Sequence, residues 1–460
     1  MSFLCPTAPE QRAAETAWLE QVLRRPWCAR QWAYLRHGGP GYLQSALTLG
    51  GGTASSCLIA GAAFGFDLLW VPIVGMVLGG IVFMAIAHQT LSTGMRPFGA
   101  MRRYAGPIFA WGWAIGTVLA SVVWHLAQYS LASAVLVDLA AVAGWQVPRF
   151  GMGLLVLAWA VPMALGFGSG ARWRGLFERA MRWMVWSIVG LFALVFVRVG
   201  LGHGGAIVEG VCSFNIPADR EGVAAAGVII AGLAAAVGIN MTFLYPYTLL
   251  ARGWGRSHRE LARTDIACGM VLPYIIVTTL MIAVAAVTLS PTFSGKSIGP
   301  IEAAQSLGAM VGPIWGRVLF DLGILAMASS TIVLHMVCCG VAVSEMSHRP
   351  FGGRAFRWGA MIPAPAVIGS LYWSDLSLWL AVPTGVITGF LLPLVYVAFL
   401  KLQCSWAYLG RDRPPGGRLV AWVGALVLST VVLATFLGWY AVTKGPGFIA
   451  QWRTIFEGSA

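Results

Sequence analysis

Apolar residues run almost unbroken through long stretches of this chain, and short arginine-bearing stretches separate them. Eleven stretches are long enough to cross the ~30 Å hydrocarbon core of a bilayer. They are 39–67, 69–93, 107–142, 150–168, 175–201, 223–252, 266–289, 314–346, 355–373, 376–402 and 418–443. The pattern predicts an all-α polytopic membrane protein. Residues 10–36 read differently: Trp18, Leu19, Val22, Leu23, Trp27, Trp32 and Tyr34 are interspersed with Arg24, Arg25, Arg30 and Arg36. That mixture predicts an amphipathic helix at the membrane surface or in the cytoplasm.

Two of the apolar segments carry interruptions. The first contains Leu49-Gly50-Gly51-Gly52-Thr53 followed by Ala54, Ser55 and Ser56. Each glycine costs a helix about 1 kcal/mol against alanine, so the triad predicts a broken helix. Broken backbone at bilayer depth survives only where protein or a water-filled cavity covers it. The competing reading is close helix packing through small residues. The sixth segment contains Gly238-Ile239-Asn240-Met241 and, farther on, Pro246, which removes a backbone donor. Breaks opening two successive blocks of five spans point to an inverted-repeat secondary transporter with its substrate near the midplane.

Composition agrees with this reading. Of 460 residues, 58% are hydrophobic and 10% charged, with a mean hydropathy of +0.76. The net charge of +13 suggests a polyanionic partner until its placement is read. With the N-terminus inside, 23 of the 30 basic residues fall on the inner side. This is the positive-inside pattern, so no nucleic-acid partner is expected. It predicts an integral protein of the plasma (inner) membrane with a cytoplasmic N-terminus and an external C-terminus. The eight cysteines form no CxxC pair, and Cys338-Cys339 read as small core residues. No signal peptide is expected in residues 1–36. No HExxH, P-loop or nucleotide fingerprint occurs, so neither enzymatic activity nor a cofactor is expected.

At this point the chain resembles the NRAMP divalent-metal transporters. Gly39-Pro40-Gly41-Tyr42-Leu43 is similar to that family's GPGF/YL, and residues 60–70 to its AGSAFGYSLLW. Ser92-Thr93-Gly94 matches its ATG. Leu319–Ala326 followed by Ser329–Ile332 resembles its LFAIGLLAAGQSSTI. Arg354–Arg357 with Ile362-Pro363-Ala364 resembles the start of its ninth span. The resemblance implies a LeuT-like five-plus-five inverted repeat with helices 1 and 6 broken. On that reading the chain divides into an N-terminal segment 1–38, a first repeat 39–201, an external loop 202–222, a second repeat 223–402 and a C-terminal part 403–460.

The ligand motifs of the family are altered here. Its DPGN falls on Gly50-Gly51-Gly52-Thr53, and its MPH on Ile239-Asn240-Met241, or two residues later if its Met is placed on Met241. Its TDLAE falls on Trp124-His125-Leu126-Ala127-Gln128, and its span 10 Gln falls near Gly385. What remains for a substrate is Leu49, Gly50, Gly51, Gly52, Thr53, Gly238, Ile239, Asn240 and Met241. Gly50, Thr53, Asn240 and Met241 are the candidate metal ligands. Neutral oxygens suit Mg²⁺, a hard ion that keeps part of its water shell, better than Mn²⁺ or Fe²⁺. The resemblance therefore extends to NRAMP-related magnesium transporters. The competing reading inverts the charge, because a glycine-rich break exposes helix N-terminal amides that favour an organic anion or amino acid. A third reading is a membrane relative that no longer transports.

Ionisable residues inside membranes are functional candidates. His125 and Gln128 in the third span, and Asp321, Ser329, Ser330, Thr331 and His335 in the eighth, form the candidate proton or ion pathway. Each has a plain alternative. His125 reads equally as a neutral histidine bonded between helices, Asp321 as the partner of Arg317 one turn away, and the hydroxyls as bonded to their own helix. His88 reads as interfacial. Trp111, Trp113, Tyr372, Trp373 and Trp379 read as interface belts. Energy from ATP would need another subunit.

Overall fold

The structure, a computed structural model, describes residues 9–167, 171–199, 201–220, 222–293, 295, 303–305, 312, 314–371 and 381–457. The described chain is helical apart from its connections. In order, the helices are α1 (Pro9–Leu23), α2 (Trp27–His37), α3 (Pro40–Thr48), α4 (Gly51–Phe64), α5 (Trp70–Thr93), α6 (Pro97–Tyr104) and α7 (Pro107–Val142). There follow α8 (Arg149–Phe167), α9 (Ala171–Val199), α10 (Gly204–Cys212), α11 (Ala225–Ala236), α12 (Ile239–Ala251), α13 (Arg259–Ile266) and α14 (Leu272–Thr288). The last are α15 (Trp315–Met346), α16 (Arg354–Met361), α17 (Ala381–Gly389), α18 (Leu392–Cys404) and α19 (Gly416–Glu457).

Among the described residues, nine helices are long and apolar enough to cross a membrane, or ten when α3 and α4, bent by 51° at their junction, count as one. α11 and α12 pass together as a single span, Ala225–Ala251. The expected count of eleven is not reached. Of segment 355–373, the described residues 355–371 fold as the short α16 and a 3₁₀ helix, Ala364–Ser370, rather than as one long helix. Pro363 and Pro365 explain this, since each lacks the N–H that an α-helix would use there.

α4, α11, α12 and α15 are buried along most of their length. They form the centre, with α5, α7 and α14 packed around them. Trp113 is fully buried, and its indole N–H donates to Thr242 Oγ1 at 3.0 Å. It is therefore a core residue and not part of an interface belt, whereas Trp111 is 39% exposed. Tyr372, Trp373 and Trp379 lie outside the described residues. His88 is buried and bonds the Asp412 carbonyl at 3.0 Å.

The surface helix expected over 10–36 is two helices, α1 and α2, parted at Pro26. They cap the face of the bundle that carries the N-terminus. Glu15 bonds His37 Nε2 at 2.7 Å and lies 4.0 Å from Arg252, which also pairs with Glu178 at 2.7 Å. Arg30 pairs with Glu260 at 3.0 Å, and Asp265 accepts the Gly41 amide at 2.6 Å. Arg96–Glu345 and the two arginines Arg256 and Arg259 on Asp412 complete this face. Among the described residues the opposite, far face carries one ion pair, Arg317–Asp138.

Candidate functional site

The first break falls at the leading edge of the glycine triad. Leu49 (φ −76°, ψ 54°) and Gly50 (φ −99°, ψ 177°) leave helical geometry, and α4 restarts at Gly51. A break strips backbone groups of their helical partners, and each stripped group buried in apolar surroundings must find another. Neighbouring helices provide them. Ser330 Oγ of α15 donates to the Ala46 carbonyl at 2.9 Å. Thr53 Oγ1 donates back across the break to the Thr48 carbonyl at 2.5 Å. Gln128 Oε1 of α7 accepts the Gly51 amide at 3.0 Å.

Both readings of the triad hold, at different positions. Gly50 takes the break, while Gly51 and Gly52 are helical and allow close approach. A Cβ on Gly52 would collide with the Trp124 indole, and one on Gly51 would lie 2.5 Å from Gln128 Oε1. A Cβ on Gly50 would collide with Thr331.

The second break falls at Val237 (φ −144°, ψ 104°) and Gly238 (φ −86°, ψ 158°). It is capped from within the next turn. Gly238 N–H points to Met241 Sδ at 3.3 Å, and Met241 N–H donates to Asn240 Oδ1 at 2.9 Å. Pro246 is accommodated inside α12. The breaks are tied directly to each other: Thr48 Oγ1 lies 2.8 Å from the Ala235 carbonyl and 3.0 Å from that of Ala236, the last two of α11.

Between the breaks lies a cavity of about 30 Å³, above the ~10–15 Å³ that one water requires. Of the residues singled out in the sequence, Gly50, Gly52, Thr53, Gln128, Gly238, Asn240, Met241, Thr331 and His335 line it. Leu49, Gly51 and Ile239 are not part of its lining. Ser329 and Ser330 stand outside the lining, and Ser330 and Thr331 both bond the Met327 carbonyl of their own helix, at 3.0 and 2.9 Å. Sequence reasoning missed Leu47, Thr48, Trp124, Ala234 and Ala235 in the wall. Only Thr48 left a signal, a hydroxyl immediately before the break. A second, apolar cavity of about 10 Å³ lies beyond Thr53, toward Leu68, Val71 and Pro72.

The cavity wall carries no carboxylate. Among the described residues no cluster of three or more His, Cys, Asp or Glu is placed to hold a metal ion. The polar lining consists of hydroxyls, amides, a thioether and the His335 imidazole. The Thr48, Thr53 and Thr331 hydroxyls each give their single proton to backbone carbonyls. They therefore present only lone pairs to the space between them.

Behind His335 stands His125, their ring centroids 5.4 Å apart. His125 Nδ1 bonds the Ser121 carbonyl at 2.9 Å, so it carries the ring proton. Its Nε2, His335 Nδ1 and the Tyr129 hydroxyl are buried without partners. Asp321 is not part of this group. It lies fourteen residues from His335 along α15, and Arg317 bonds Asp138 of α7 rather than Asp321.

Comparison with known proteins completes the description. A family model described as natural resistance-associated macrophage protein-like matches residues 41–439. No curated protein matches the sequence. A manganese transporter from Eremococcus coleocola, in complex with an aromatic bis-isothiourea substituted compound, superposes with TM-score 0.71 at 17% identity. That match covers 90% of this chain and 87% of the transporter. Mhp1, a nucleobase-cation-symport-1 family transporter, gives 0.54 at 15% identity, over 88% of this chain and 92% of Mhp1. MhsT in complex with L-phenylalanine gives 0.56 at 14% identity, over 86% and 97%. At these identities the likeness is one of fold, the LeuT-like architecture with two broken helices.

Proposed function

Because the chain belongs to the natural resistance-associated macrophage protein-like family, we propose that it is a secondary-active carrier that moves a metal ion through the cavity between its two broken helices. The observation that carries this reading is the orientation of the hydroxyls. Thr48, Thr53 and Thr331 offer acceptor lone pairs and no protons to whatever occupies the cavity. A cation uses such groups, whereas an anion needs donors. The Gly51 amide, which an anion would seek at the N-terminus of α4, is already held by Gln128.

The finer reading is a divalent ion, with Mg²⁺ the ion that the neutral oxygens of the wall suit. His335 enlarges the choice, because an imidazole in the wall also serves Mn²⁺ and similar ions. Thr53, Gly50, Asn240 and Met241 remain the proposed ligands, and His125 with His335 the proposed ion-coupling pair. The repeats run over 39–201 and 223–402. The protein sits in the plasma membrane with α1 and α2 on the cytoplasmic side and the C-terminus outside. Alternating access then requires release of the ion pairs that close the N-terminal face.

Isothermal titration of the purified protein with Mg²⁺, Mn²⁺ and Ca²⁺ tests this. Heat with Mg²⁺ that disappears in Thr53→Ala supports the oxygen site. Heat with Mn²⁺ alone that disappears in His335→Ala moves the substrate to a transition metal. No heat with any of the three, combined with binding of an amino acid or carboxylate, returns the anion reading.

A further inference from the structure

At the far end of α7 and α15 two buried aspartates meet. Asp138 is 1% exposed and Asp321 fully buried. Arg317 grips both oxygens of Asp138, its Nε 2.5 Å from Oδ2. Neither carboxyl oxygen of Asp321 receives a hydrogen bond from any donor. Arg317 stands one turn from Asp321 on α15 and holds Asp138, so the Asp138 carboxyl is the one set against Asp321. Two carboxyl groups hydrogen-bond each other only with a proton between them, since ionised carboxylates are acceptors alone.

The surrounding charges leave one place unfilled. With both aspartates ionised, the trio of Asp138, Asp321 and Arg317 carries a net charge of −1 in a buried site, and an uncompensated buried charge is strongly disfavoured. Among the described residues, the other charged groups nearby do not fill it. Arg149 of α8 is committed to the Ser130 carbonyl at 2.7 Å and to Ser133 Oγ at 3.2 Å, and Arg198 near the end of α9 is exposed. A metal ion fits poorly, because Arg317 already occupies both Asp138 oxygens. Asp321 alone then offers two oxygens where Mg²⁺ or Ca²⁺ takes six or more.

We propose that Asp138 and Asp321 bind one exchangeable proton between them, and that Arg317 is its gate to solution. The Arg317 side chain is 22% exposed and is the one member of the trio that water reaches. When its guanidinium swings away, Asp138 is freed and the shared proton exchanges. The site joins the same two helices that carry Trp124 and Gln128 on one side of the cavity and Thr331 and His335 on the other. Loss of the proton sets two carboxylates against each other across that joint and separates the far ends of α7 and α15. The site does not depend on which solute the cavity carries.

The test is infrared difference spectroscopy of the full-length protein in liposomes between acidic and alkaline pH, with proton uptake measured in parallel. The wild type should show a protonated-carboxyl band that vanishes on alkalinisation. Asp321→Asn, whose amide can donate to Asp138 and preserve the contact, should lack that band and take up one proton fewer. Arg317→Gln should keep the band and move its disappearance to higher pH, a shift that a purely structural role for Arg317 would not produce. An unchanged band and equal proton uptake in Asp321→Asn would overturn the proposal. So would loss of the wild-type band on adding Na⁺ or Mg²⁺ at constant pH, which would assign the site to a metal cation.

Discussion

The two broken helices open onto one cavity but are held open by different means. At the first break the stripped backbone groups are satisfied from elsewhere, by Gln128 of α7 and Ser330 of α15, and the glycines leave no room for a side chain. At the second break the amides are satisfied from within, by Met241 Sδ and Asn240 Oδ1 in the next turn, while the Ala235 and Ala236 carbonyls accept from Thr48 Oγ1 of α3. A Cβ on Gly238 would meet only the Asn240 side chain. The first break is thus held by the assembled bundle, and the second by its own turn on the amide side and by α3 on the carbonyl side.

The largest effect should come from Gly52→Ala. Its methyl group enters the Trp124 ring, so stability should fall by about 1–3 kcal/mol, and metal binding should be lost. Gly238→Ala, which displaces one flexible amide, should cost about 1 kcal/mol or less. Thermal unfolding of both proteins measures the difference, and equal losses would break the comparison. Next in size is Gln128→Ala, which leaves the buried Gly51 amide unpaired at a cost of about 1–3 kcal/mol. Asn240→Ala removes a local cap and should cost about 1 kcal/mol. If Asn240→Ala proves the more damaging, the local cap at the second break outweighs the contact that α7 makes at the first.

The smallest effect concerns the far end of α12, where Arg252 meets Glu15. Burial raises the Glu15 pKa, but the hydrogen bond and charge of His37 and the charge of Arg252 outweigh it and hold it below its ordinary 4.5. The stabilisation is therefore present above the unfolded-state value and is lost as pH falls through the lower folded one. Hydrogen exchange of residues 9–37 should rise on acidification in the wild type. In Glu15→Gln it should already be raised at neutral pH. Exchange around Gly50 should stay unchanged in both cases, and a change there would show that the N-terminal helices also govern the first break.

Much of this was legible in the sequence because the signals were local. Apolar run lengths located the spans, and three adjacent glycines and a Gly-x-Asn located the breaks. What the sequence hid is what one helix face meets on another. His125 and His335 are 210 positions apart, yet their rings lie 5.4 Å apart at a tilt of 37° because α7 and α15 run side by side. Arg317 and Asp321 stand one turn apart, yet Arg317 chose Asp138, whose two oxygens suit its planar fork. Trp113 read as an interface residue because indoles favour that zone, but a hydroxyl on α12 gave its N–H a partner in the core. Segment 355–373 was apolar enough to span, and its prolines decided otherwise.

The clamp at the N-terminal face also sets an order of events during synthesis. α1 and α2 are made before their side-chain partners Arg252, Glu260 and Thr264, and before Arg182, which donates to the Arg36 carbonyl. At ordinary translation speeds the last of these follows on the order of ten to fifty seconds later. Until then the two helices hold only each other, through Glu15 and His37, and the Arg182 contact to the Arg36 carbonyl. Their full set of contacts is complete only after residues as late as Thr264 have been made.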